Sequence, residues 1–405
     1  MRTRIVIVAL LFMLPSEFIA QTWNQKANIP AIGRHRSTSF SIGNKGYIGL
    51  GHINSVSNEL FDDFWQYNPA SNVWTQIADF GGGERYHAYG FTVGDKAYVG
   101  TGRTPGGAYE TDNWEYSPAT NTWTEKTSFP GVERRGAIAF VISGIGYVGS
   151  GETFVPGSND FYSYNPVSDS WGQIQSFPGQ ARTSAVAFSI QDKGYFGTGE
   201  LAVGVDQAIN DFWEYNPSSD AWTQKANIGD SVRKEACGFA LLGLGYIGTG
   251  RNPNIGDDMD NFWQYNPSTD AWVEVEDFLG ISRRYMVSFV IANKAYVGIG
   301  TNGTNFNDFW EYNPVYPEGM APYQGVKAEV KNDPIQGLSI GFTYLPKGVD
   351  NLELWISDYN GNILERRSVE SSNIQLKLKK NSEPKTYIYR LVKDEQVVKA
   401  GKLTI

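Results

Sequence analysis

Hydrophobic and polar residues follow a pattern that returns about every fifty residues along this chain. Each unit opens with an apolar run such as "GAIAFVI" (136–142), which predicts a strand buried on both faces. A short turn, "GNK" or "GDK", leads into a second run of the type "GYVGSG". A third, "FWEY", alternates and stops at Asn-Pro, where a central strand cannot continue. The fourth, "WTEKTSF", is the polar outer strand. Four strands per unit, repeated radially at this period, predict a β-propeller.

Fixed spacings sharpen that reading. One tryptophan recurs at 23, 74, 123, 171, 222 and 272. Eleven residues after each stands an arginine: Arg34, Arg85, Arg134, Arg182, Arg233 and Arg283. Twenty-six residues after each stands the first glycine of a Gly-x-Gly run, at Gly49, Gly100, Gly149, Gly197, Gly248 and Gly298. The "DFWQYNP"-type run follows, and nine residues past its Trp or Tyr the marker tryptophan returns. In the sixth unit that position, 319, is glycine. Trp23 is therefore expected to supply the missing strand, with "WNQKANI" closing the last blade.

The glycine pair after an apolar strand, the tyrosine before Asn-Pro and the spaced tryptophan resemble kelch repeats, over roughly residues 21–316. The usual Gly-Gly doublet is Gly-x-Gly here. The expected fold is all-β: a six-bladed kelch propeller over 21–314 with its N-terminal strand in the last blade.

Only the stretch from the first glycine to the next Trp or Tyr varies in length, from 12 to 16 residues. These are the loops between strands two and three, where binding is expected. Strand parity puts the six arginines on the same face. After each Gly-x-Gly come His52, Arg103, Glu152, Glu200, Arg251 and Thr301, with Tyr109, Phe154, Val203 and Phe306 further along the loops. The arginines, His52, Arg103, Arg251, Tyr109, Phe154 and Phe306 are candidate contacts for a glycan or protein. Two residues before each strand-three Trp or Tyr stand Asp63, Asp112, Asp160, Asp211, Asn261 and Asp308. Arginine suits bidentate pairing with carboxylate, so the arginines are read first as structural ties.

The leading functional expectation is a non-catalytic binding module acting through this long-loop face, monomeric and without cofactor. Two kelch-type enzymes form the alternatives. Copper oxidases resembling galactose oxidase need Tyr and His ligands and a Cys–Tyr crosslink. This chain has three histidines, His35, His52 and His87, and its one cysteine, Cys237, lies in an apolar strand, so that reading is disfavoured and no metal site is assigned. The "GDDMDN" run (256–261) reads as a solvated turn rather than a Ca²⁺ loop. Sialic-acid mutarotases resemble the chain in being exported six-bladed kelch proteins that use Glu and Arg without metal. Glu152 and Glu200 are the candidate catalytic residues under that alternative.

Charge and the chain ends add context. Net charge is −9, and residues 321–405 alone carry net +3, leaving the rest near −12, which argues against nucleic acid. Arg2 and Arg4 precede an apolar run, Ile5–Leu14, too short to span a bilayer; residues 1–20 read as a cleaved secretory signal. No later segment is long and apolar enough for a membrane helix. Residues 315–322, "VYPEGMAP", read as a linker, and 323–405 as a small β-sandwich. Its "DYNGN" (358–362), "YIYR" (387–390) and terminal "GKLTI" resemble the C-terminal sorting domain of type IX secretion in Bacteroidota. That resemblance implies a partner in the outer-membrane secretion machinery and a secreted or cell-surface location.

Overall fold

The computed structural model describes residues 23–54, 59–154, 158–201, 207–229 and 231–314, and seven strands between 327 and 404. The predicted signal, the linker 315–322, "DYNGN" and Val203 lie outside the described residues. Six four-stranded antiparallel sheets succeed one another along residues 23–312. The third is typical: Ile138–Ile142, Ile145–Gly149, Phe161–Asn165 and Ser170–Ile174 pair in chain order. First strands adjoin the first strands of both neighbouring blades, all the way round, so they form the inner wall of a six-bladed propeller.

Burial differs from expectation within each blade. The first strand is not buried on both faces; in Ile138–Ile142 buried positions alternate with half-buried ones. The second strand is the more buried one, with four successive buried residues after Ile145 in Ile145–Gly149. The reason is position. The first strand is the inner edge, with one side of its backbone open to the axis, while the second is sandwiched between adjacent blades.

The first glycine of each Gly-x-Gly leaves room for the third strand: a Cβ on Gly248 would sit 2.2 Å from the Phe262 ring. The middle residue of each run, Leu50, Thr101, Ser150, Thr198, Thr249 or Ile299, adopts a left-handed φ of 54–60°. The inserted residue therefore turns the chain rather than extending the strand.

The N-terminal strand Trp23–Lys26 pairs antiparallel with Phe309–Tyr312 and completes the sixth sheet, as expected. Trp23 is fully buried, its ring 4.7 Å from Tyr312 and 5.2 Å from both Phe262 and Phe278. Its indole N–H donates to the Glu276 carbonyl of the preceding blade (3.4 Å). The same clasp recurs around the ring, from Trp74 to Ala27 (2.8 Å) and from Trp171 to Thr127 (2.8 Å), for example. A second clasp starts from a left-handed turn residue. Asn72 (φ 55°) accepts from its own blade's Tyr67 hydroxyl and from the Ala27 amide of the blade before, and Asp169 does likewise for Tyr164 and Thr127.

Beyond the propeller stand a three-stranded sheet (Lys327–Asp333, Gly337–Thr343, Asn373–Leu376) and a four-stranded one (Ile363–Ser368, Leu352–Ser357, Thr386–Lys393, Gln396–Thr404). The sequence reading did not anticipate the strands Lys327–Asp333 and Gly337–Thr343. No helix among the described residues is long and apolar enough to cross a membrane.

Closure by Trp23–Lys26 makes a direct prediction. Trp23→Ala should cost about 3–5 kcal/mol, and deletion of 21–30 should expose an edge strand that aggregates. Thermal melting with light scattering checks both; unchanged melting of the deletion variant would exclude the closure.

Candidate functional site

The six periodic arginines are buried, none more than 3% exposed. Five grip the aspartate anticipated from sequence. Arg134 donates Nη1 to Asp160 Oδ1 (2.6 Å) and Nη2 to Oδ2 (2.9 Å), and also reaches the Ser150 carbonyl (3.0 Å). Arg34–Asp63, Arg182–Asp211 and Arg283–Asp308 repeat this fork, while Arg85 makes one bond to Asp112. Each carbonyl reached belongs to the left-handed middle residue of Gly-x-Gly, so one guanidinium fixes both the turn and the aspartate. The aspartate also accepts the strand-three indole, as in Trp65 to Asp63 (2.8 Å). These arginines are frame, not ligand contacts. Phe306 shares that role, lying 3.8 Å from Arg283 as a stacking partner.

Blade five departs from the rule. Asn261 replaces the aspartate and meets Arg233 Nη2 at 3.3 Å only. Arg233 Nε and Trp263 Nε1 are buried and have no hydrogen-bond partner among the described residues. Burial with no adjacent carboxylate pushes the Arg233 guanidinium down to about 10, the more distant Glu274 charge opposing the shift.

Two non-repeating residues follow each periodic arginine and build the face around the axis. The second of the pair, Arg36, His87, Gly136, Ser184, Glu235 or Tyr285, takes a left-handed φ of 53–64°. Backbone bonds link these positions from blade to blade, for example Gly136 N–H to His87 O (2.8 Å) and Tyr285 N–H to Glu235 O (2.8 Å). The first of the pair forms a β-bridge with the residue after Gly-x-Gly: His35 with His52, Tyr86 with Arg103, Arg135 with Glu152, Lys234 with Arg251, and Arg284 with Thr301. Thr183 pairs with Glu200 in the same way.

The structure places His52, Arg103, Glu152, Glu200 and Arg251 at equivalent bridge positions of five successive blades. Each carboxylate has a cationic partner. Arg135 holds Glu152 bidentately (Nε 3.0 Å and Nη2 2.7 Å to Oε2), and Lys234 holds Glu200 (2.8 Å). Tyr109 donates to Glu152 Oε1 (2.6 Å), and its ring stacks on Phe154 at 4.1 Å. Phe154 is 66% exposed, so this platform ends at solvent. Asp258, read from sequence as part of a solvated turn, is an ion-pair partner of Arg284 (2.7 Å) and lies 3.7 Å from Arg251.

Arg36 sits among neutral groups. It donates to His52 Nε2 (2.6 Å), His35 Nε2 (3.2 Å) and the Tyr285 hydroxyl (2.9 Å), which in turn donates to Glu235 Oε1 (2.6 Å). Burial first, and then the Arg36 charge, push His35 down to about 3 and His52 down to about 4; His87 is also held well below the ordinary range. All three imidazoles are neutral at neutral pH, which lets His35 and His52 accept from Arg36. Burial raises the Glu235 carboxyl above its usual value, against the pull of Tyr285 and the nearby cations.

Sequence reading missed Arg36, Tyr86, Arg135, Lys234, Glu235, Arg284 and Tyr285. Their signal was position: they occupy the two sites following an invariant arginine and vary among the repeats.

No family profile and no curated protein matches the chain. Solved structures do, 445 chains in all. Among them, the structure of YjhT is matched with a TM-score of 0.59 and 16% identity, over 70% of this chain and 95% of that one. The likeness shows the propeller fold. It says nothing of role; the expectation of a purely non-catalytic binding module is corrected by the site itself, where Glu152, Glu200 and Glu235 stand among guanidinia, a lysine and neutral imidazoles.

The blade-five gap can be repaired. Asn261→Asp should give the Arg233 Nη groups a carboxylate and the Trp263 indole an acceptor, and stabilise the protein by about 1–3 kcal/mol. Asp160→Asn should do the reverse in blade three. Paired melting curves check this, and a lower melting temperature for Asn261→Asp would contradict the tie.

Proposed function

We propose that this propeller is a metal-independent sugar mutarotase or epimerase of the sialic-acid mutarotase type, acting on an acidic sugar. One observation carries the reading. Arg36 and Arg103 have no carboxylate partner among the described residues, and they share the axial face with Glu152, Glu200 and Glu235. Unpaired guanidinia offer a planar fork for a sugar carboxylate. Glu152 and Glu200 retain 35% and 26% side-chain exposure, enough to reach a ligand from solvent.

Mutarotation needs two coordinated proton movements. A base takes the proton of the anomeric hydroxyl while an acid protonates the ring oxygen and the C–O bond breaks. After rotation of the exposed carbonyl, the ring closes on its other face and both protons return. A carboxylate held by a guanidinium, as Glu152 is by Arg135, is oriented for the first movement. Its contribution should be about 10²–10⁴-fold in rate. The periodic repeats are read as kelch repeats on the strength of their Gly, Tyr and Trp spacing.

The mature protein is read as exported: 1–20 as signal, 21–314 as propeller, 315–322 as linker and 323–405 as a type IX sorting domain. The charged, apolar-run N-terminus and the "DYNGN", "YIYR" and "GKLTI" segments support this. Removing 323–405 should then retain the protein inside the cell envelope, as fractionation of a type IX-competent host would reveal; unaltered surface delivery would refute the sorting role.

The activity is tested by NMR exchange between N-acetylneuraminate anomers with purified protein. Acceleration over the spontaneous rate is expected, lost in Glu152→Gln or Glu200→Gln. A wild type that leaves the spontaneous rate unchanged would refute the reading.

A further inference from the structure

We infer that Tyr86 is the proton donor to the ring oxygen, poised by two guanidinia. The inference rests on the mutarotase reading of this site. Tyr86 lies one residue after Arg85, and its backbone is locked to Arg103 in both directions (N–H to O, 3.1 and 2.9 Å). Its ring meets the His52 edge at 4.4 Å and 79°. The hydroxyl oxygen accepts from Arg103 Nη1 (2.9 Å) and from Arg135 Nη1 (2.8 Å).

A phenol oxygen has two lone pairs and one hydrogen. Both lone pairs are taken, and no described residue accepts the hydrogen. The other tyrosines of this face differ: Tyr109 donates to Glu152 and Tyr285 to Glu235, so their protons are committed to carboxylates. Tyr86 alone among these three carries a proton surrounded by cations. Losing that proton leaves a phenolate with a positive charge on either side, the arrangement that favours transfer to a substrate oxygen.

Arg135 couples the two roles. Its Nε and Nη2 hold Glu152 while its Nη1 holds Tyr86, so one planar group sets base and acid at a fixed separation. In the opening direction Glu152 takes the anomeric hydroxyl proton and that O–H electron pair becomes the carbonyl π bond. The C–O ring bond breaks, its electron pair stays on the ring oxygen, and Tyr86 protonates it. Closure reverses each transfer on the opposite carbonyl face, returning the proton to Tyr86. No external reagent is consumed. Arg135 is the positioning residue and Tyr86 the catalytic one.

The test compares wild type, Tyr86→Phe and Arg103→Gln in the N-acetylneuraminate exchange assay, with KM and melting temperature recorded for each. Tyr86→Phe should lower kcat by about 10²–10⁴-fold, leave KM within a few-fold and melt with the wild type. Arg103→Gln should lower kcat less than Tyr86→Phe does. If wild type is active and Tyr86→Phe matches its kcat, or loses only substrate binding, the donor role is overturned while the mutarotase reading stands. If wild type itself is inactive, both fall. A Tyr86→Phe loss that disappears when the assay is run well below the variant's melting temperature also overturns the role.

Discussion

A buried guanidinium gripping a carboxylate is the constraint from which this structure is built. In five of six blades the same arginine reaches an aspartate and the carbonyl of a left-handed turn residue, and in four of those five the aspartate also holds an indole N–H. Taking such a charge out of water is tolerable only because the fork satisfies both carboxylate oxygens and the aspartate finds further donors. One side chain thereby ties the connection between blades to the turn after strand two and to strand three. That is why spacing from tryptophan to arginine to glycine is invariant while the next loop varies. Blade five shows what the tie supplies: with Asn261 in the aspartate's place, Arg233 loses the fork and the buried Trp263 indole has no acceptor among the described residues.

The frame leaves two residues free in each repeat. They follow the arginine directly; the first bridges to the residue after Gly-x-Gly and the second is held in a left-handed geometry. Chemistry can therefore change from blade to blade without cost to the fold. His35 and His87 occupy such positions, and His52 stands across the bridge from His35. Low-dielectric surroundings keep these rings neutral, and His35 and His52 hold Arg36 without cancelling its charge. An uncancelled guanidinium beside paired carboxylates is the feature on which the proposed binding of an acidic sugar rests.

Much of the architecture was legible beforehand because its determinants are local and repeated. Blade number, the closing role of Trp23 and the Arg–Asp partnership all follow from spacings. Strand burial was misjudged because an apolar run reports that a strand is covered, not which edge of its sheet meets the axis. The site was half legible. Glu152, Glu200, His52, Arg103 and Arg251 were marked by the loops they open, whereas Arg36, Tyr86 and Arg135 sat unnoticed beside a conspicuous arginine. Candidate contacts chosen for charge, the six periodic arginines above all, proved to be interior.

By itself the sequence determined the repeat: which residues recur, at what interval, and therefore how many sheets the ring contains. Periodicity is written along the chain because every blade must solve the same packing problem. Which charges are spent on the frame and which remain available was decided only in three dimensions. That outcome depends on residues from different blades meeting at the axis, as Arg135 meets Tyr86 across 49 positions and Arg36 meets Tyr285 across 249. No interval along the chain encodes those meetings; closure of the ring does.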